Sequence, residues 1–552
     1  MKFIDDYFIQ KSNFILNDTL KVDVLKHSGM FSKQKEYKFS DGLLNATSLI
    51  DSLLIPQKSN KKNKSTIDKN IWHKFQKEGW TNVSGKPGII LPESVIMAAY
   101  EIFYLANSNL AIQAAFTREL IKLLERHGSS KINQMLLPLL NSGDALGVPI
   151  LNDTVSLTAN PKDDHFEISG KLTDVFYFKP QAGLNIIQLV TARIDQQSIG
   201  IFAIPYYQLG QKQERSNGIT TSDQTMAPEN WLIGNLTYNK AKGHLLTTVA
   251  SPTELSELFL DELNHQLSIF CVATIARLII TENSINQSSN NKKNIAVQHS
   301  DFKSTLYAIY EGLKGAVLSS SFKYDCKLYA GEAQADHFIN SHKLTSIILK
   351  LYSSNIAFDL IRQGINHFGL SMYSDNFDMS QQINKIIAFH SLGNKNANLA
   401  QAAVHNLIKN EGKLISSILG DYQNIDAHQA NSPQLRSAIG IWLEYVGGVI
   451  LLQDDMTNDK DLTSWQLFAE RYTMLLGNVI ISYHLIQQAL ESEKQMEQIG
   501  VNFFNISLEI EKNETVEKLF QNVLLAEHFV HNVLTLQERQ IRILQKKSGI
   551  LF

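Results

Sequence analysis

Apolar positions along this chain change their spacing twice. Up to about residue 146 they recur three and four places apart, as in VIMAAYEIFYLA from Val95 and AAFTRELIKLLERHG from Ala114, which lays them along one side of a helix. Gly128 ends the second run where a helix C-cap is wanted. Beyond Gly147 the apolar residues gather into short β-type runs, VSLTAN, HFEISG, NIIQLVTARI, SIGIFAIP and WLIGNLTYNK, parted by turn-prone stretches such as Asn160-Pro161-Lys162-Asp163-Asp164. The small sheet they predict ends near Leu255. Helical spacing then holds to the C-terminus, with Phe302, Leu306, Ile309, Leu313 and Val317 following one another at four, three, four and four residues. Polar breaks are expected at Pro56 to Thr66, Asn283 to Asn294 and near Asn394. Helices, then a sheet, then helices describe an α+β chain that is mainly α, and no repeat period suggests a solenoid.

Composition removes several classes of function. A chain of 552 residues exceeds one ordinary domain and can bury several cores. With 51 basic against 54 acidic residues and a net charge of -3, it carries no electrostatic footprint for nucleic acid or an acidic membrane. Two cysteines, Cys271 and Cys326, cannot build a disulfide framework and point to a reducing compartment. MKFIDDYFIQ at the start lacks the cationic and apolar regions of a secretory signal. The longest apolar run, LSIFCVATIARLII from Leu267, is interrupted by Arg277 and falls short of the ~20 residues that span a bilayer. A cytoplasmic protein without a membrane span is the expectation.

From Gln363 to Ala400 the chain reads QGINHFGLSMYSDNFDMSQQINKIIAFHSLGNKNANLA. This resembles, without a gap, the acyl-CoA dehydrogenase stretch Q-x-x-G-G-x-G-Y followed by R-D-A-R-I-x-x-I-Y-E-G-T-x-G-I-Q. Further landmarks keep the family's order. Glu78-Gly79-Trp80, Leu91-Pro92, Glu101 and Asn107 resemble its E-G-W, G-L-P and E-x-x-x-x-x-N signature; Gly170 to Asp195 is similar to the strand pair that carries flavin-facing residues; and GIFAIP from Gly200 follows. HSDFKSTLYAIYEGLKGAVLSSS from His299 resembles H-P-D-V-R-R-M-L-x-x-M-K-A-x-x-E-x-x-R-A-L. QNVLLAEHFVHNVLTLQERQ from Gln521 looks like the extra helical tail of the long subfamily, similar to 3-methylmercaptopropionyl-CoA dehydrogenase-type proteins. The resemblance implies a helical domain over 1–146 with Pro56 to Thr66 as a loop, a β-domain over 147–255, a four-helix-type domain over 256–420 and an extra helical domain over 421–552.

In that family a carboxylate removes the α-proton of an acyl-CoA thioester while the β-hydrogen passes as hydride to FAD, so the base must be unprotonated and held over the α-carbon. Here the Glu position falls on His390, whose ordinary pKa of ~6.5 would allow it to accept a proton. The paired glycines fall on Asn366 and His367, and the Arg-Asp pair on Gln381 and Gln382. Some relatives carry the base on an earlier helix, which resembles LFLDELNHQL; the corresponding pair is His265-Gln266, and Glu262 is the nearest carboxylate. The flavin loop L-T-E-P-x-A-G-S-D is shortened to Leu151-Asn152-Asp153-Thr154, and the strand residues beside the flavin become Val175, Phe176 and Tyr177. Gln363 and Gly369 persist from the polar framework, so Gln363, Gly369, Phe176 and Tyr177 are the candidate FAD contacts. Loss of the two glycines would hinder close backbone approach to a pyrophosphate.

Outside this segment the signals are weaker. Glu527, His528 and His531 share a helical face that could offer two imidazoles to a metal, but a helix surface with incidental histidines is the preferred reading. DDMTNDKD from Asp454 lacks the Gly and Glu of a calcium loop and reads as an acidic turn. The function expected is therefore a divergent acyl-CoA dehydrogenase-like protein without dehydrogenase activity, serving as a scaffold or partner subunit in a homodimer or with an active paralogue. One alternative is an active FAD-dependent enzyme using His390 or Glu262 and passing electrons to electron-transfer flavoprotein. Another is a protein that binds acyl-CoA without redox chemistry.

Overall fold

The computed structural model describes residues 93–150, 155–178, 184–196, 198–209, 215–226, 231–249, 252–288, 300–327, 331–369, 382–387, 412–458 and 462–545, with isolated positions near 72–81 and 399–404. Described residues up to Phe270, together with 382–387, form one compact unit. Those from Cys271 to 369 and from 399 onward form a second.

The first unit opens with α1 (Glu93–His127) and α2 (Ser130–Ser142). Both helical runs predicted from Val95 and Ala114 lie in α1, which is broken at Asn107 (φ -153°, ψ 92°). The Asn107 side chain accepts the Leu110 N–H at 3.1 Å and so caps the second half, as a polar side chain does at a helix start. Among the described residues seven strands follow: β1 (Ala145–Pro149), β2 (Leu157–Pro161), β3 (Phe166–Phe178), β4 (Asn185–Arg193), β5 (Ile199–Pro205), β6 (Ile219–Met226) and β7 (Trp231–Val249). β5 pairs with both β7 and β4, and β4 meets β2 through the parallel pair Thr158 and Arg193, so β2-β3-β7-β5-β4 close on themselves. Closure leaves none of these five strands with a fully open edge, and β4 is buried along nearly all and β5 along all of its length. The interior keeps a polar link, the Tyr238 hydroxyl donating to Gln188 Oε1 at 2.8 Å. β1 and β6 were not among the predicted runs: ALGVP is too short to alternate, and ITTSDQTM is too polar to read as a strand.

α3 (Pro252–Ser288) begins immediately after the sheet, with Pro at its first turn. It runs five residues past Asn283, where a polar break was expected, because the Asn283 amide is held by the Tyr307 hydroxyl at 3.0 Å. In the second unit α4 (Ser300–Cys326) packs against α5 (Glu332–Phe368) and α8, and the predicted stripe Phe302, Leu306, Ile309, Leu313 and Val317 is buried throughout. α6 (Lys413–Gln423), α7 (Pro433–Asn458), α8 (Leu462–Gln498), α9 (Ile506–Lys512), α10 (Glu514–His528), a π-helical turn (Phe529–Leu534) and α11 (Thr535–Gln545) complete it.

The expectation that no segment is long and apolar enough for a bilayer is corrected. Among the described residues Leu263–Asn283, Gln334–Phe368 and Pro433–Asn458 all meet that length and composition, the first because its helix extends beyond the apolar run from Leu267 at both ends. The most apolar stretches of the first two are 89% and 72% buried within the protein, and that of the third is 44% buried.

Candidate functional site

His390, Gln381 and Leu151 to Thr154 lie outside the described residues, as do the side chains of Glu262 and Phe176. What leads to His390 is described. The short helix over 382–387 seats Ile386 out of solvent and buries Gln382, and the Lys385 amine donates to Ser108 Oγ at 2.8 Å, one residue after the break in α1. The segment is therefore tied to α1 by the Lys385 donor, beside a buried Ile386.

The candidate flavin strand is β3, and a bulge governs it. Leu172 pairs with Leu236 but Val175 with Gly234, so β3 uses one residue more than β7 over that interval. Asp174 takes up the difference at φ 54°, a left-handed conformation that Asp tolerates better than most side chains. The bulge reverses the alternation of the strand: Ile168 and Leu172 are buried before it, Val175 and Tyr177 after it. Tyr177 is 2% exposed, and the next residue, Phe178, sets its ring 6.3 Å from Phe116 of α1 in an edge arrangement. An aromatic ring enclosed to this degree by its own protein offers no open face for a flavin ring. The backbone of Phe176 pairs with Ile233 and that of Tyr177 with Leu232.

The earlier-helix position is also enclosed. Asn264, His265 and Gln266 of α3 are at most 1% exposed, and both amide atoms of Asn264 and of Gln266 lack hydrogen-bond partners among the described residues. Phe270, one turn beyond Gln266, meets Tyr104 of α1 edge-on at 5.2 Å. An imidazole and two amides stand there, with no carboxylate among the three.

In the second unit, Gln363 is half-buried near the end of α5, and Asn366 and His367 are exposed. The His367 ring stacks on Phe302 at 4.7 Å. Gly369 closes the helix at φ 54°, ψ -134°, donating its N–H to Ile365 O. A left-handed glycine at a helix end is explained by the cap alone.

Sequence reasoning missed a buried ionic cluster on α1. Arg118 grips Glu93 with two bonds, 3.2 and 2.5 Å, and Lys122 stands 3.7 Å from Glu93 and 3.3 Å from Glu119. Burial opposes the Arg118 charge, yet Glu93 and Glu119 hold it on, and burial pushes the neighbouring Tyr100 hydroxyl upward in pKa. The signal was available: Arg118, Glu119 and Lys122 interrupt a stretch otherwise apolar at every turn. Among the described residues, no group of three or more His, Cys, Asp or Glu could hold a metal ion.

Neither a protein-family model nor a curated protein matches the sequence. Solved structures do resemble the chain. Acyl-CoA dehydrogenase from Bacillus anthracis, complexed with FAD, is 14% identical over 94% of this chain and 93% of its own, with a TM-score of 0.65. Caenorhabditis elegans ACDH-11, in complex with C11-CoA, is 12% identical over 92% of this chain and 89% of its own, with a TM-score of 0.68. Butyryl-CoA dehydrogenase from Megasphaera elsdenii is 15% identical, and 98% of it covers 67% of this chain with a TM-score of 0.51, so about a third of this chain lies beyond it. The chain has the fold of the acyl-CoA dehydrogenases.

Proposed function

We propose that this protein keeps the acyl-CoA dehydrogenase frame without the dehydrogenation, and acts as a scaffold or partner subunit, as a homodimer or beside an active paralogue. The observation that carries the reading is the enclosure of Val175, Tyr177 and Phe178, where the resemblance expects flavin contacts. The buried His265-Gln266 pair supports it, since the alternative base position offers no carboxylate at that pair. Fold similarity carries no chemistry by itself, so the FAD and C11-CoA of the neighbours belong to those proteins.

The division at 146, 255 and 420 and the kinship with the long subfamily belong to the same proposal. Support comes from the strands falling between Ala145 and Val249 and from the third of the chain that the shorter neighbour leaves uncovered. We read the three apolar helices as core elements of a cytoplasmic protein, a location that cell fractionation would check. The functional test is a visible spectrum of the purified protein after incubation with FAD. A colourless product is expected; a yellow one whose flavin is reduced by an acyl-CoA would overturn the proposal and restore His390 and Glu262 as candidate bases. Thermal stabilisation by acyl-CoA but not by FAD would instead identify a ligand-binding protein, because a ligand of the folded state alone raises apparent stability.

A further inference from the structure

Two glycines of α7 answer to no contact within their own chain. A Cβ on Gly448 would press on Ile541 of α11 at 3.3 Å, so a close neighbour explains that glycine. A Cβ on Gly440 or Gly447 would meet nothing within 4 Å beyond the helix's own backbone. Glycine in mid-helix lowers stability relative to alanine, so two that serve no internal contact mark a surface that something else approaches closely. The helix that carries them is also the least covered of the three apolar ones among the described residues. Its most apolar stretch is 44% buried, against 89% and 72% in the others. Beside the glycines Leu451 is 59% exposed, and Leu443 and Ile450 are half-buried.

The open face has the spacing of a coiled-coil seam. Arg436, Gly440, Leu443, Gly447, Ile450 and Asp454 follow one another at four, three, four, three and four residues, as they do on a helix that packs lengthwise against another. The series is its own complement when reversed. In an antiparallel pair related by a twofold axis at residue 445, Ile450 enters the notch at Gly440, Leu443 that at Gly447, and Arg436 meets Asp454. Each large side chain faces a gap, and each cation an anion. Arg436 and Asp454 are exposed, and Arg436 uses one of its five N–H donors on Ala430 O at 3.0 Å. Glu444 is exposed at the rim beside the axis, where solvent and salt screen its meeting with its own copy.

We propose that α7 pairs antiparallel with α7 of a second copy of this chain, Leu443 and Ile450 of each seated in the glycine notches of the other, with Arg436 bonded to Asp454 at both ends. The inference rests on the homodimer reading of the proposed function, gives that dimer a contact surface, and does not depend on flavin. One helix pair is a small interface, so the association is expected to be reversible and concentration-dependent.

Sedimentation velocity of the full-length protein from about 1 to 100 μM tests it. The wild type is expected to sediment as more than one copy, increasingly so with concentration. Gly447→Leu fills a notch, touches nothing else in the chain and is the better helix former, so it should fold at least as stably while raising the dissociation constant about tenfold or more. Arg436→Glu and Asp454→Arg should each weaken the association, and the two together should restore it, a reversal that no folding defect produces. Cys271 and Cys326 are buried, so an introduced surface thiol reports alone. Mild oxidation should join Glu444→Cys into a covalent dimer and leave Ser437→Cys, about 24 Å from its own copy, unjoined. A wild type that stays monomeric would overturn both this surface and the homodimer reading. An association untouched by Gly447→Leu and by the charge reversals would overturn this surface alone. A monomer that floats with phosphatidylcholine vesicles, and ceases to with Leu451→Glu, would overturn the pairing and assign the face to lipid.

Discussion

Lys350 is 1% exposed in α5, and burial pushes its pKa down to about 7, while Cys271, to which Ser353 is hydrogen-bonded, is pushed up to about 12 by the same cause. Between pH 7 and the unfolded value near 10.5 the unfolded chain holds a proton on this amine that the folded chain does not. Stability should therefore rise with pH across that window. Lys350→Met is expected to remove that slope and to stabilise the protein at pH 7 by on the order of 2–4 kcal/mol, measured by urea denaturation at pH 7 and 9. Tyr177 gives the complementary test. Truncating it to Ala should cost about 3–5 kcal/mol, because a fully packed aromatic is removed and a cavity is left; a cost under about 1 kcal/mol would mean that the ring lies in an open site. Val175, Phe176 and Tyr177 were legible as a strand, but their direction was not. A single extra residue at Asp174 turns Val175 and Tyr177 inward, and no local pattern announces a bulge.

Helix ends and helix crossings carry the next scale. The start of α7 is held by Glu493 of α8, a carboxylate 1% exposed that accepts the Asn431 N–H at 2.6 Å and the Ser432 N–H at 3.0 Å. An acid there meets the positive end of the α7 dipole and satisfies donors that the helix itself cannot. Glu493→Ala should cost about 2–4 kcal/mol, with Gln recovering part of it, as measured by chemical denaturation. α8 also needs a glycine where it crosses α5. A Cβ on Gly477 would sit 2.3 Å from Tyr352 Cδ2, and the Tyr352 hydroxyl donates to Asn478 Oδ1 at 2.8 Å next door. Gly477→Ala should therefore lower stability by about 1–3 kcal/mol despite Ala being the better helix former, read as a drop in thermal midpoint. The helices themselves were legible from spacing. Their crossings were not, since a glycine in a helical pattern reads as a mild defect until the ring against it is known.

At the scale of the whole molecule, two compact units each carry part of the segment that resembles an active site: the short helix over 382–387 belongs with the unit ending at Phe270, while Gln363 and Gly369 belong with the other. That division could not be read from the sequence, where Gln363 to Ala400 is one continuous motif. The whole-molecule prediction is spectroscopic: a preparation incubated with FAD and desalted should show no flavin absorbance. Trimming the enclosed strand with Tyr177→Ala should not create binding, if the shortened loop and the lost glycines matter as well.

Periodicity alone determined the order of helices and strands, because burial of one helix face or one strand face imposes a spacing that survives at 12 to 15% identity with the solved neighbours. The resemblance in motif order anticipated the fold those neighbours share. Tertiary structure decided what periodicity cannot encode: closure of the sheet, the bulge that turns Val175 and Tyr177 inward, and the ionic cluster of Glu93, Arg118, Glu119 and Lys122 inside the first unit. Each depends on which distant residues meet. A side chain's spacing records that it is buried, and only its neighbours in space record what it is buried against.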